Sequence, residues 1–220
     1  MASKKQMIGK NDKIVVTGGK GFLGGFVIEE LMKRGYAQLV PLSVADYDLC
    51  DPAATRKMFQ EQAPDVVLHL AALVGGIGEC KRKPAEMFRD NMQMGLNVFE
   101  AARESGLKKL VAIGSVCAYP KFAPIPFKED CLWEGYPEET NAPYGLAKKM
   151  LLVLCQAYRA QYGLNAIYLL PVNLYGPRDN FDLESSHVIP AMVMKFHNAK
   201  KQKDNEVVLW GDGTPTREFL

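Results

Sequence analysis

The chain has 220 residues, 48% apolar and 24% charged, with 27 Lys and Arg against 25 Asp and Glu for a formal charge of +2. That composition excludes disordered, collagen-like and membrane-embedded classes, and the charge balance gives no reason to expect nucleic acid or a membrane surface as partner. The length predicts one large domain, or one domain and part of a second.

The charged opening, 1–13, lacks the apolar run of an export signal. Residues 13–17 (KIVVT) form a β-branched run ending in glycines, and 26–34 carries apolar residues at helical spacing, so the start reads strand, tight turn, helix. The alternation continues with strands at 38–42, 65–71 and 109–114 and helices at 53–62 and 84–105. A helical pattern at 144–162 stops at Gly163, and a strand at 165–170 is stopped by Pro171. Apolar strands alternating with helices predict an α/β fold, a Rossmann-type doubly wound parallel sheet covered on both faces. The proline-rich stretch 121–143 reads as a long functional loop. Beyond Gly176-Pro177 come a helix at 189–200, a strand at 206–210 and a Gly-Asp-Gly turn. The expected division is a dinucleotide-binding domain over 1–176 and a partial, smaller domain over 177–220, truncated where the chain stops. The longest uncharged run, 161–177, is broken by Gly163, Asn165, Pro171 and Asn173, so no membrane span is expected.

Five cysteines, Cys50, Cys80, Cys117, Cys131 and Cys155, never stand in C-x-x-C spacing. They point to a reducing cytoplasm and away from a disulfide framework or a metal site.

Gly18, Gly21 and Gly24 match G-x-x-G-x-x-G, and Gly19, Gly21 and Gly24 match G-x-G-x-x-G, between a strand and a helix. Glycines there let the backbone turn sharply and approach a pyrophosphate at the helix N-terminus, which makes Gly18, Gly19, Lys20, Gly21, Phe22, Leu23 and Gly24 the candidate cofactor-binding turn. The second strand ends Leu42-Ser43-Val44, neither acidic nor basic. Lys20 is placed to reach a 2′-phosphate, and Asp46 or Asp48 a ribose or adenine; the reading leans to NADPH and leaves NAD open.

Tyr144 and Lys148 lie one helical turn apart, where an ammonium favours the tyrosinate form of the phenol. Ser115 follows a strand directly, at the edge where open parallel sheets bind ligands. His69, inside an apolar strand, and His197, beside lysines on a helix, read as structural.

Glycine turn, strand-end Ser, Tyr and Lys in this order resemble the extended short-chain dehydrogenase/reductase family. The resemblance runs almost end to end through TGGKGFLG (17–24), LAALVGG (70–76), SVCAYP (115–120), NAPYGLAK (141–148), PVNLYGPRDNF (171–181), SHVIPA (186–191) and LWGDGTPTREFL (209–220). The later segments match the branch that forms GDP-L-fucose by 3,5-epimerisation and 4-keto reduction of a GDP-4-keto-6-deoxyhexose. The resemblance implies a reductase triad of Ser115, Tyr144 and Lys148, and an acid/base pair of Cys117 and His187 that inverts C3 and C5. It adds Leu70, Ala71, Ala72, Pro171, Asn173, Leu174 and His187 to the cofactor site, and gives the GDP-sugar Asn173, Lys195, Trp210 and Arg217. It also implies a homodimer through the two long helices. The chemistry agrees, because a 4-keto group acidifies the hydrogens at C3 and C5 and each inversion needs a base on one face and an acid on the other. Alternatives are a relative acting on a heptose or colitose precursor, an epimerase without reduction, and a non-catalytic dinucleotide-binding protein.

Overall fold

A computed structural model describes residues 7–214 and 216–220. Residues 1–6 of the charged opening, and Pro215 within the 209–220 motif, lie outside the described residues.

Five strands, β1 (Ile14–Thr17), β2 (Leu39–Leu42), β3 (Val66–His69), β4 (Lys109–Ile113) and β5 (Ala166–Leu169), form one parallel sheet in the order β2-β1-β3-β4-β5. Thr17 stands opposite Leu42 on one side and His69 on the other, so β1, β2 and β3 end level. The order reverses between β1 and β3, which opens a crevice at the carboxyl edge where such sheets take their ligands.

Among the described residues six α-helices accompany the sheet: α1 (Phe22–Lys33), α2 (Pro52–Gln62), α3 (Ile77–Arg82), α4 (Pro84–Ser105), α5 (Ala142–Tyr162) and α6 (Val188–Gln202). Both faces of the sheet are buried, which is why the strands read as unbroken apolar runs. Ile14, Val16 and Val66 pack with Ile28 of α1 on one face. Val15, Val67 and Leu110 pack on the other with Phe59 of α2, Phe99 of α4 and Leu151 of α5. Fully burying a side chain of this size stabilises by roughly 1.5–3 kcal/mol.

Helix α1 starts at Phe22, one turn before the expected 26, because glycines that break a periodicity reading are required inside it. A Cβ on Gly24 would lie 2.3 Å from the Gly18 carbonyl oxygen. The expected loop 121–143 holds a short 3-10 turn at Glu129–Trp133, whose buried Leu132 seats it against Ala118 and Tyr119, and its last two residues already belong to α5.

The strand expected over 206–210 does not form. A strand needs a neighbour to take its N–H and C=O groups, and among the described residues none lies alongside. The Val208 carbonyl is met instead by Lys195 Nζ at 2.8 Å, and Val208 and Trp210 are 77% and 76% exposed. The segment that does pair is the chain's end. Asn173 and Phe219 form a parallel bridge, with Leu220 N–H donating to the Asn173 carbonyl at 2.9 Å.

Candidate active site

The glycine turn leaves β1 at Thr17. Gly18 has φ +70°, and a Cβ there would meet the Ala71 nitrogen at 2.9 Å, while one on Gly19 would meet the Val16 carbonyl at 2.6 Å. Three stretches of backbone thus pack with no room for side chains, and α1 follows its N-cap Gly21 with no side-chain cap on its first N–H groups. A bare backbone cradle at an uncapped helix N-terminus is the geometry that a dinucleotide pyrophosphate requires, so these residues fit that cofactor. The loop after β3 completes the cradle: Ala71 N–H donates to Thr17 Oγ1 at 3.3 Å, and buried Asn91 of α4 accepts from Leu73 N–H at 3.1 Å and donates to its carbonyl at 2.9 Å.

Beneath it His69 Nδ1 is 2.9 Å from Thr17 Oγ1, and burial pushes the imidazole down to about 3, so the ring stays neutral. That agrees with a structural role. Lys20 Nζ reaches both carboxylate oxygens of Asp46 at 2.8 and 2.7 Å. Asp48 is spent on the turn before α2, accepting from Cys50 N–H at 2.9 Å.

Ser115 follows β4 and caps the 3-10 turn Val116–Ala118, its Oγ accepting from Cys117 N–H at 3.2 Å. Helix α5 brings Tyr144 against this turn, and Gly145 makes the approach possible: a Cβ there would lie 2.2 Å from the Cys117 carbonyl oxygen. Glu138 fixes the entry to α5, accepting from Thr140 N–H and Asn141 N–H, each at 3.1 Å. The Ser115 side chain's one hydrogen bond among the described residues is the one from Cys117 N–H, and its hydroxyl lies close enough to the Tyr144 phenol and the Cys117 thiol to favour the ionised form of both.

Burial is the largest influence on every ionisable group of this cluster. It pushes the Tyr144 phenol well above its ordinary value, with Cys117 adding to the rise and the nearby Ser115 hydroxyl opposing it. It also raises the Cys117 thiol, against the Ser115 hydroxyl and the nearby Arg217 cation. Lys148, 3% exposed, is brought down to about 8 by burial alone. The ammonium was expected to favour tyrosinate, yet a buried site disfavours charge on either group, and burial holds the Tyr144 phenol protonated.

His187 is exposed at the N-cap of α6, and among the described residues no hydrogen bond joins it to Cys117. Its segment docks on the loop that leads into α3, with Gly76 N–H donating to the Ser185 carbonyl at 3.0 Å. Lys195 Nζ lies 5.3 Å from the Trp210 ring centroid. Arg217 joins the cluster electrostatically through Cys117, which its sequence position did not announce. Asn173 spends its side-chain amide on the Glu218 carbonyl at 2.9 Å, holding the chain's end beside the segment that carries Pro171 and Leu174.

Sequence reasoning missed Gly145 and Asn91. The available signals were a glycine inside a strong helix and an asparagine on an apolar helix stripe, one turn after Met87. Gly145→Ala should lower stability by about 1–2 kcal/mol, because the backbone clash outweighs the roughly 1 kcal/mol of helix propensity that alanine adds. Thermal unfolding measures it, and a variant as stable as the parent would show that α5 does not need this close approach.

The chain matches the NAD dependent epimerase/dehydratase family over residues 14–220. It is 44% identical to GDP-L-fucose synthase 1 of Arabidopsis thaliana over 214 residues, 97% of this chain and 66% of that protein. A GDP-L-fucose synthetase from Naegleria fowleri, solved bound to NADP, superposes with TM-score 0.85 at 33% identity, covering 100% of this chain and 72% of that one. A GDP-D-glycero-L-gluco-heptose synthase from Campylobacter jejuni, solved in the presence of NADPH, superposes with TM-score 0.87 at 32% identity, covering 97% and 71%. The chain therefore spans about two thirds of the length of the curated relatives it matches. None of its described helices is long and apolar enough to cross a membrane.

Proposed function

The chain belongs to the NAD dependent epimerase/dehydratase family, and from that premise we propose that it epimerises C3 and C5 of a GDP-4-keto-6-deoxyhexose and reduces C4 to give GDP-L-fucose, with NADPH as reductant. The observation that carries this reading is the clustering of the Tyr144 phenol and the Cys117 thiol about the Ser115 hydroxyl, which puts a proton donor for reduction and a group able to move carbon-bound protons close together. A plain 4-reductase needs only the first.

Gly18 to Gly24 would hold the pyrophosphate, and Leu70 to Ala72, Lys148, Pro171, Asn173 and Leu174 would hold the rest of the dinucleotide. When bound, the nicotinamide supplies a hydride to C4. Before that, Cys117 and His187 exchange the protons at C3 and C5 from opposite faces of the sugar ring. The negative charge that each step places on the C4 oxygen is met by the hydroxyls of Ser115 and Tyr144, so one pair of donors serves both reactions. Tyr144 then gives its proton to the alkoxide, and the Lys148 cation offsets the charge left on the phenolate. Arg217, Lys195 and Trp210 take the GDP end, two cations for the diphosphate and a ring for stacking.

The division into a cofactor domain over 1–176 and a substrate portion over 177–220 is part of this proposal. So is a homodimer through α4 and α5, whose Phe88, Leu96 and Val153 side chains are left partly exposed. All five cysteines are free thiols, which suits the cytoplasm.

The deciding experiment incubates GDP-4-keto-6-deoxy-mannose with the protein in D₂O, with and without NADPH, and reads the product by mass spectrometry. Deuterium at C3 and C5 without NADPH, and a reduced product with it, is the expected result. Reduction without deuterium would leave a 4-reductase. The C. jejuni heptose relative makes a GDP-4-keto-heptose the second substrate to try, and exclusive turnover of that sugar would move the assignment to heptose chemistry.

A further inference from the structure

The ion pair between the glycine turn and the end of β2 has no part in the chemistry described so far. Gly19 N–H donates to the Leu42 carbonyl at 2.9 Å, so the turn is tied against the strand end where an acidic residue ordinarily meets a cofactor's ribose 2′-position. There Asp46 gathers four donors: Lys20 Nζ on both oxygens at 2.8 and 2.7 Å, Ser43 N–H at 2.7 Å and Ser43 Oγ at 2.9 Å. Within 17–25 and 43–51, the two turns that flank this position, Lys20 is the one cation and Asp46, Asp48 and Asp51 are three carboxylates. Asp51 is committed to capping α2 and Asp48 to the turn before it, which leaves Asp46 alone facing Lys20.

We propose that Asp46 sets which nicotinamide cofactor the chain accepts, by neutralising Lys20 and so holding the preference for NADPH over NADH to a narrow margin. This rests on the dinucleotide-binding reading of the glycine turn. A 2′-phosphate dianion is drawn to the Lys20 ammonium but must share it with a carboxylate that already occupies two of its three donors. A ribose 2′-hydroxyl meets no such competition and can donate to Asp46 itself. The pair is exposed, 50% for the Lys20 side chain and 30% for that of Asp46, so water screens it and the lysine can turn toward a phosphate when one is present. With the carboxylate removed, the same lysine would act on the phosphate alone.

Asp46→Asn tests this cleanly, because the amide oxygen still accepts from Ser43 N–H and the turn is kept while the charge is lost. Dissociation constants for NADPH and NADH, and for adenosine 2′,5′-bisphosphate against 5′-AMP, are read by fluorescence or calorimetry without any turnover. The parent chain is expected to bind NADPH and NADH within about tenfold of each other, Asp46→Asn to widen the ratio toward NADPH by about tenfold, and Lys20→Met to shift it toward NADH. The bisphosphate pair should move with the NADPH ratio, and added salt should shrink the difference. An unchanged ratio in Asp46→Asn, with both cofactors still bound, overturns the inference and leaves the dinucleotide site intact. A parent chain that binds neither cofactor overturns both.

Discussion

Tyr144→Phe is expected to slow reduction of the 4-keto sugar by about 10²- to 10⁴-fold, the range over which a positioned proton donor acts. The ring stays and only the hydroxyl goes, so α5 keeps its packing against the Cys117 turn and cofactor binding is retained. Deuterium exchange at C3 and C5 falls far less, because Ser115 still meets the enolate oxygen and Cys117 and His187 still move the protons. Single-turnover oxidation of NADPH measures the first effect and D₂O incubation without cofactor the second. Reduction within tenfold of the parent would remove Tyr144 from the donor role. The expected pH course follows from burial: the phenol stays protonated through the alkaline range, whereas Lys148, brought down to about 8, loses its charge there. The Lys148 cation supports the phenolate left after proton donation and is fully present only below that value, so reduction should decline as pH rises past about 8. Lys148→Met should be slow at every pH and lose this limb.

The parallel sheet was legible because burial on both faces leaves an unbroken apolar run, and the glycine turn because strand before and helix after frame it. What escaped depends on groups distant in sequence. Helix α1 was expected a turn late, since the close approach of Gly24 to Gly18 that demands a glycine in the helix is a fact of packing. Gly145 is required by a carbonyl at Cys117, 28 positions earlier, and no periodicity carries that. The 206–210 run has strand composition, but a strand is a property of two segments and no partner lies beside it among the described residues. Spacing put Tyr144 and Lys148, the proposed proton donor and its partner, on one face of α5. It does not register burial, whose desolvation pushes the phenol up and the ammonium down.

The same desolvation decides what Cys117 does. Cys117→Ser is expected to cut deuterium exchange at C3 and C5 by about a hundredfold or more, because a serine hydroxyl of nearly the same size neither gives up nor takes a proton in this range. Burial holds the Cys117 thiol protonated, and the three influences that favour thiolate are the Ser115 hydroxyl, the Arg217 cation and the residue's own backbone N–H, with Glu138 working against them. A thiol raised above its ordinary value yields about ten times more thiolate for each unit that pH climbs below its midpoint. Where Cys117 must act as base, exchange should therefore rise with pH across the interval in which reduction falls. The two halves of the reaction would separate: alkaline conditions favour an epimerase that reduces poorly, and neutral conditions the combined reaction. Arg217→Met should lower exchange by withdrawing a cation that opposes burial, and by the same factor at every pH below the thiol's midpoint. Exchange and reduction measured on one preparation between pH 6 and 9 give both curves. Parallel curves, or exchange that survives in Cys117→Ser, would show that the proton at C3 or C5 is carried by another group and that Cys117 serves only to pack the turn after β4.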